Sequence, residues 1–339
     1  MGLKINNHIY KVLIIVNTMF ASSCIHKSNE VVVYNTVDHV FTEPILQDFE
    51  KKTGIKVRAI FDTEETKSTG IMNRIIAESE NPQCDVFWSG DPVRSQVLKQ
   101  KNLLDAYNSP SIEDIKENFI DPERKWIGFS ARARVLIYNK NLMPGDSAPK
   151  SIFDLTKIQY RGRVAIGNPL FGTTSFHIAA LFSILGDEAG KKLMADLKAN
   201  KIVIAAGNGD VKKRVSNGEI ACGLTDTDDA FEALESGAAI GIVYLDQDSL
   251  GTLIMPNTVS LIKKSPNPEN AKKLIDYLLS KETEGKLAIA CAQMPLHTGV
   301  QTPAHLIPLN NIKPMKVDYG NAAQKLEDIK LYLKKWMEE

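Results

Sequence analysis

From residue 31 the chain alternates short β-branched runs with longer helical ones, and this rhythm restricts the fold more than any other feature. VVVY (31–34) reads as a strand, PILQDFEKKTG (44–54) as a helix stopped by Gly54, and IKVRAIF (55–61) as a second strand. GIMNRIIAE (70–78), CDVFW (84–88) and SQVLKQKNLL (95–104) continue as helix, strand and helix. Alternation of this kind implies βαβ units and a parallel sheet with helices on both faces. Around Trp126 the pattern predicts a pair of strands, WIGFSARA and RVLIYNK, followed by the turn LMPGDSAPK (142–150). The βαβ rhythm then returns three times: GRVAIGNP leads into FGTTSFHIAALFSIL, KIVIAAG into DVKKRVSNG, and EIACGL into DTDDAFEALESG. IVYLDQD, GTLIMPNTVSLIKK and one helix over 267–290 follow. The expected fold class is α/β and two-lobed, each lobe a mostly parallel sheet flanked by helices, with the ligand cleft between lobes. The expected divisions are 31–124 for lobe 1, 125–245 for lobe 2, 246–300 for a return to lobe 1 and hinge, and 301–339 for a C-terminal helical segment. At 339 residues, 43% of them hydrophobic, the chain can fill two such cores.

The first thirty residues differ. Lys4 and Lys11 precede the apolar stretch Val12 to Val16, and the small residues Ala21, Ser22 and Ser23 lead to Cys24. This is the layout of a bacterial export signal, too short to span a membrane. A Cys after small residues also resembles a lipoprotein signal, in which Cys24 becomes the lipid-bearing first residue; a plain cleaved signal is the alternative. Residues 1–23 are thus expected to be signal and 24–30 a polar tether. Lys plus Arg (41) balance Asp plus Glu (41), so no overall field recruits nucleic acid. Cys84, Cys222 and Cys291 show no CxxC spacing and read as small buried hydrophobes.

Every cluster of chemical interest falls where a strand gives way to a helix, the place at which open parallel sheets bind ligands. Residues 223–233, GLTDTDDAFEA, crowd Asp226, Asp228 and Asp229 into four positions. They serve either as an N-cap and an acidic first helical turn or as a site for a cation, an amine or hydroxyls. GNPLFGTTSF puts Gly172, Thr173, Thr174 and Ser175 at a helix start, a cradle for an anion beyond what one cap needs. Asp91 before Pro92 reads as an N-cap that also faces the crevice. YNTVDHV supplies Tyr34, Thr36, Asp38 and His39, and IVYLDQD supplies Tyr244 and Asp246 as further cleft candidates. Arg132 and Arg134 alternate, so both point to one face of their strand, to neutralise carboxylates or bind an anion. G-x-S-x-G, P-loop, H-E-x-x-H and G-x-G-x-x-G patterns are all missing, so a binding role is expected rather than an enzyme.

VVVYNTVDHVFTEPILQDFEKKTGIKVRAIF, IAESENPQCDVFWSGDP, GFSARARVLIYNKN, GNPLFGTTSF, NGEIACGLTDTDDA and GTLIMPNTVSLIKKSPNPENAKKLIDYLLS together resemble the ferric-iron-binding branch of bacterial ABC-importer solute-binding proteins, over about residues 31 to 300. The resemblance implies a monomeric, hinge-closing receptor without catalytic cofactor, exported to the periplasm or cell surface, held to the membrane only through a lipid, and handing its solute to an ABC permease and ATPase. It implies metal ligands at Asp38 or His39 and at Asp91, and a synergistic carbonate or phosphate on Gly172 to Ser175. The family's adjacent tyrosines fall on TDTDD, and the sequence has no Tyr-Tyr. Relatives in the wider family bind thiamine, aminoethylphosphonate or phosphorylated sugars. Two cargoes therefore stay open. One is Fe3+ or another hard metal ion with an anion. The other is a phosphorylated or phosphonate molecule, its phosphate on Thr173 to Ser175 and its amine or hydroxyls on Asp226 and Asp229, with Asp228 as cap. An exported enzyme acting on phosphate esters is the competing class.

Overall fold

The computed structural model describes residues 29–62, 69–303 and 306–338. Cys24 and the signal segment lie outside the described residues. The chain runs β1 (Glu30–Asn35), α1 (His39–Thr53), β2 (Lys56–Phe61), α2 (Thr69–Ala77), β3 (Val86–Ser89), α3 (Pro92–Gln100), β4 (Leu104–Asp105) and β5 (Ile127–Asn139). It continues with β6 (Val164–Gly167), α4 (Gly172–Leu185), α5 (Asp187–Ala199), β7 (Val203–Ala205), α6 (Asn208–Ser216), β8 (Cys222–Asp226), α7 (Thr227–Glu235) and β9 (Ile240–Val243). Last come β10 (Ile254–Ile262), α8 (Pro268–Leu278), α9 (Lys281–Cys291), α10 (Tyr319–Asp328) and α11 (Lys330–Glu338).

The strand order is β2-β1-β3-β10-β5-β8-β6-β7. β1 pairs in parallel with β2 and β3, and β6 in parallel with β7 and β8. Between these two parallel groups stand β10 and β5, antiparallel to each other and to their neighbours. Two βαβ lobes thus share a central antiparallel pair, the two-lobed α/β architecture the rhythm predicts.

Three local expectations change. The two strands read around 126–140 are one: β5 pairs with β10 over its first half and with β8 and β9 over its second. It is buried along almost its whole length, so it shows no alternation and no turn. The helix expected over 267–290 breaks at Ser280, whose hydroxyl caps α9 by accepting from the Thr283 amide. The first helix begins at His39, with Pro44 inside it, rather than at the proline. Gly54, at φ 70°, ends that helix as expected.

β5 also carries a bulge. Its pairing with β10 slips between Pro256 and Asn257, and Ser130 opposite adopts φ 43°. Pro256 has no N–H to give, and the Ala131 amide and carbonyl turn to the Met294 backbone on the other side, at 2.7 Å each. This anchorage lies one residue before Arg132.

Candidate functional site

The carboxyl ends of β1, β3, β6, β7 and β8 face one crevice, as the strand-end rule requires. Thr36, Asp38, Gly90, Arg132, Asn168, Phe171 to Thr174, Ala206 to Asn208, Asp226 and Asp229 form its walls, which leave about 30 Å³ to the centres of water molecules. A water needs roughly 10–15 Å³ by that measure, so the crevice has room for a couple of waters or a small ion.

Its floor is a charge lattice built by strand geometry. Arg132 and Arg134, two residues apart, emerge on the same face of β5, and Arg134 lies opposite Asp226 in register. Arg134 donates to Asp226 Oδ1 at 2.9 Å, Asn208 Oδ1 at 2.7 Å, Thr174 Oγ1 at 2.8 Å and Thr173 Oγ1 at 3.3 Å. Asp226 Oδ2 accepts from Thr173 Oγ1 at 2.8 Å and from Asn208 Nδ2 at 3.0 Å. Arg132 Nη1 reaches Asp228 at 3.3 Å and Asp226 at 3.4 Å, and Nη2 donates to the Gly90 carbonyl. The Arg132 Nε is buried with no partner. The fit against Gly90 is tight, since a Cβ there would stand 3.0 Å from Arg132 Nη2 and push that guanidinium aside.

Electrostatics divide the three aspartates. Burial pushes Asp226 up, but the guanidinium groups of Arg134 and Arg132 outweigh it and hold the carboxyl below its ordinary value. Burial lowers Arg132, yet Asp228 and Asp226 raise it overall. Asp229 goes the other way: burial and the charge of Asp228 raise it to about 7, against the opposing pull of Lys212 3.4 Å away. Asp229 accepts from the Thr225 hydroxyl at 2.8 Å, and Asp228 accepts from the Asp229 amide at 3.1 Å. Behind the cradle, burial and Arg134 lower His177 to about 3, so it stays neutral.

The position of Asp226 before α7 is that of an N-cap, yet its side chain makes no capping hydrogen bond. The carboxylate is there for the arginines. Asp91, by contrast, does cap: it accepts from the Arg94 amide at 3.1 Å and pairs with the Arg94 guanidinium at 3.3 Å. Arg94 in turn donates to Ser175 at 2.6 Å, tying α3 to the start of α4 and taking Ser175 out of the crevice wall. His39 is exposed, paired with Glu43 at 2.8 Å and edge-on to Phe61. Tyr34 is fully buried, its hydroxyl on Glu78 at 2.9 Å. Asp246 accepts from Ser151, Ile152 and Ser249 in a loop knot, and neither it nor Tyr244 lines the crevice. Thr36 does, accepting from the Gly90 amide at 2.9 Å. Among the described residues, no three His, Cys, Asp or Glu side chains converge in a metal-holding group. The guanidinium of Arg132 stands among the acids instead.

Sequence reasoning passed over Asn208, Asn168 and the Ala206-Gly207 turn. Asn208 opens the helix that follows β7 after the Ala206-Gly207 turn, so the strand-end rule that found Asp226 applies to it equally.

Residues 45–308 match the family model for bacterial extracellular solute-binding proteins, and the chain belongs to that family. The chain is 24% identical over 303 residues to the major ferric iron-binding protein of Neisseria meningitidis serogroup A, covering 87% of this chain and 89% of that one. It is 27% identical over 263 residues to the putative 2-aminoethylphosphonate-binding periplasmic protein of Salmonella typhimurium, covering 76% and 74%. Iron-bound HitA from Pseudomonas aeruginosa superposes with a TM-score of 0.82 at 23% identity, covering 90% of this chain and 99% of that one, which establishes the shared fold.

Proposed function

We propose that this protein is the cargo receptor of an ABC importer and carries ferric or another hard metal ion together with a small oxyanion such as carbonate or phosphate. The observation that carries the reading is the ion-sized crevice in which Asp38 and Asp229 face the helix start at Gly172 to Thr174. Carboxylate oxygens suit hard cations, and a helix N-terminus with hydroxyls suits the anion. Acids outnumber bases in and around the crevice, where Asp38, Asp91, Asp226, Asp228, Asp229 and Glu232 face Arg94, Arg132, Arg134 and Lys212, an excess that suits a cation. Relatives bearing ferric iron-binding names point the same way.

Metal analysis and mass spectrometry of protein purified with its cargo test this directly. Metal bound in proportion to protein, with affinity raised by carbonate or phosphate, is the expected result. Affinity should also fall as pH drops below about 7, because protons compete for Asp229 there. Protein that binds no metal under either condition would overturn the reading.

Arg132 favours a second reading, a phosphorylated or phosphonate solute: it is a buried guanidinium with an unpartnered Nε at the crevice wall, and one relative is named for aminoethylphosphonate. In that case the same purification yields an organic phosphorus compound, and metal leaves its affinity unchanged.

The receptor acts at the outer face of a membrane, held there by a lipid on Cys24. Among the described residues no helix is long and apolar enough to span a bilayer. Cys24→Ser should move the protein into the soluble fraction and abolish labelling by a fatty-acid probe. Persistent labelling of that variant would exclude Cys24 as the anchor.

A further inference from the structure

Glu284 is fully buried in α9, and three backbone amides and one histidine ring nitrogen surround its carboxylate. Its Oε1 accepts from the Ser130 amide at 2.7 Å and the Leu296 amide at 2.9 Å. Its Oε2 accepts from the His297 amide and lies against His297 Nδ1, each at 2.9 Å. The other ring nitrogen, Nε2, lies 2.9 Å from the Ser111 carbonyl oxygen. With three amides already donating to the carboxylate oxygens, those oxygens act as acceptors toward Nδ1 too, and a carbonyl oxygen can only accept. Both nitrogens of the imidazole therefore need a proton.

We propose that His297 and Glu284 form a buried imidazolium–carboxylate pair that acts as a positioning device for Arg132, by pinning the bulge of β5 at Ser130. The chain of contact is short. Glu284 holds the Ser130 amide, the Met294 backbone holds Ala131 on both sides of its peptide, and Arg132 follows with its guanidinium in the crevice. Ser130 pays for its φ of 43° in strain, which persists only where the surroundings over-determine it. A charged acceptor on its amide is the strongest such constraint in reach. The other charged groups near the ring are Lys281 and Asp114, which pair with each other.

The consequence is a pH dependence located away from the cargo. Burial lowers His297, but the bond and charge of Glu284 raise it above its ordinary value overall. A histidine shifted upward contributes its stability in full below about 6.5 and loses it as pH rises through the folded value. The bulge, and with it Arg132, should loosen on the alkaline side of neutrality. This holds whichever cargo the crevice takes.

The test uses the intact, cargo-free protein and nitrogen NMR of the histidine rings, with His297→Gln to assign the signal. Both ring nitrogens of His297 are expected to be protonated at pH 7.5, with a midpoint above about 6.5, and the Arg132 Nε–H signal is expected to shift in the same pH window. In His297→Gln that Arg132 shift should vanish, and the melting-temperature gap to wild type should narrow by roughly 2–4 °C between pH 6 and pH 9. Should the variant not fold, the wild-type ring and guanidinium titrations alone decide. A His297 midpoint at or below 6.5, or an Arg132 signal unmoved while His297 titrates, would overturn the proposal.

Discussion

Asp226→Asn is expected to destabilise the protein by about 3–5 kcal/mol, among the largest effects of any single side-chain change in the crevice. The substitution leaves behind a buried Arg134 whose one carboxylate partner is gone, among hydroxyls and an amide that carry no counter-charge. Removing one member of a buried pair costs far more than replacing both, so Asp226→Asn combined with Arg134→Met should recover much of the loss. Thermal and denaturant unfolding of the two single variants and the double variant measure this. If Asp226 were instead a helix cap, Asn would serve as well and the single variant would melt with wild type. The structure excludes capping by geometry, and the unfolding series checks the energetics.

Asp229→Asn should spare stability and weaken cargo binding instead. Its carboxyl sits at about 7 because burial and Asp228 disfavour its charge, so a neutral amide of the same shape relieves repulsion and stability at pH 8 should hold or rise. The folded state binds this proton more tightly than the unfolded chain, so wild-type stability declines as pH climbs from about 4 to about 7, and the variant lacks that decline. Metal affinity should meanwhile fall by about 2–3 kcal/mol, some 30- to 150-fold, since a charged ligand oxygen is lost from a desolvated site. Calorimetric titration with ferric ion supplied as a weak chelate, with phosphate present, measures it. Unchanged affinity would remove Asp229 from the cargo's coordination.

These opposite expectations for residues three apart show where sequence reading stops. The rhythm of runs gave the lobes and the crevice because strands and helices have different periods, and a period survives in one dimension. It also placed Thr36, Asp38, Gly172, Thr173, Thr174, Asp226 and Asp229 at the crevice, through the rule that parallel strands present their carboxyl ends to ligands, while alternation along one strand singled out Arg132. Pairing across the sheet leaves no such trace. That Asp226 meets Arg134, and that Asp91 bends back to Arg94, depends on which strands become neighbours. β5 hid for a related reason: thirteen residues buried nearly throughout carry no alternation, so one strand passed for two. The break at Ser280 was readable from its capping hydroxyl, but an unbroken apolar pattern on either side concealed it.

Because β5 belongs to both sheets, the roots of Arg132 and Arg134 are separated by one pleat repeat, roughly 6.5 Å, whatever the lobes do around them. The strand works as a ruler laid through the floor of the crevice. Walls can approach or withdraw around them, yet the spacing between those two backbone positions is that of one strand. Arg132 is thereby presented to the crevice at a set interval along the strand from Arg134, which holds Asp226. A one-residue insertion between the arginines would turn one guanidinium to the opposite face, leaving the lobes folded and the gauge unreadable.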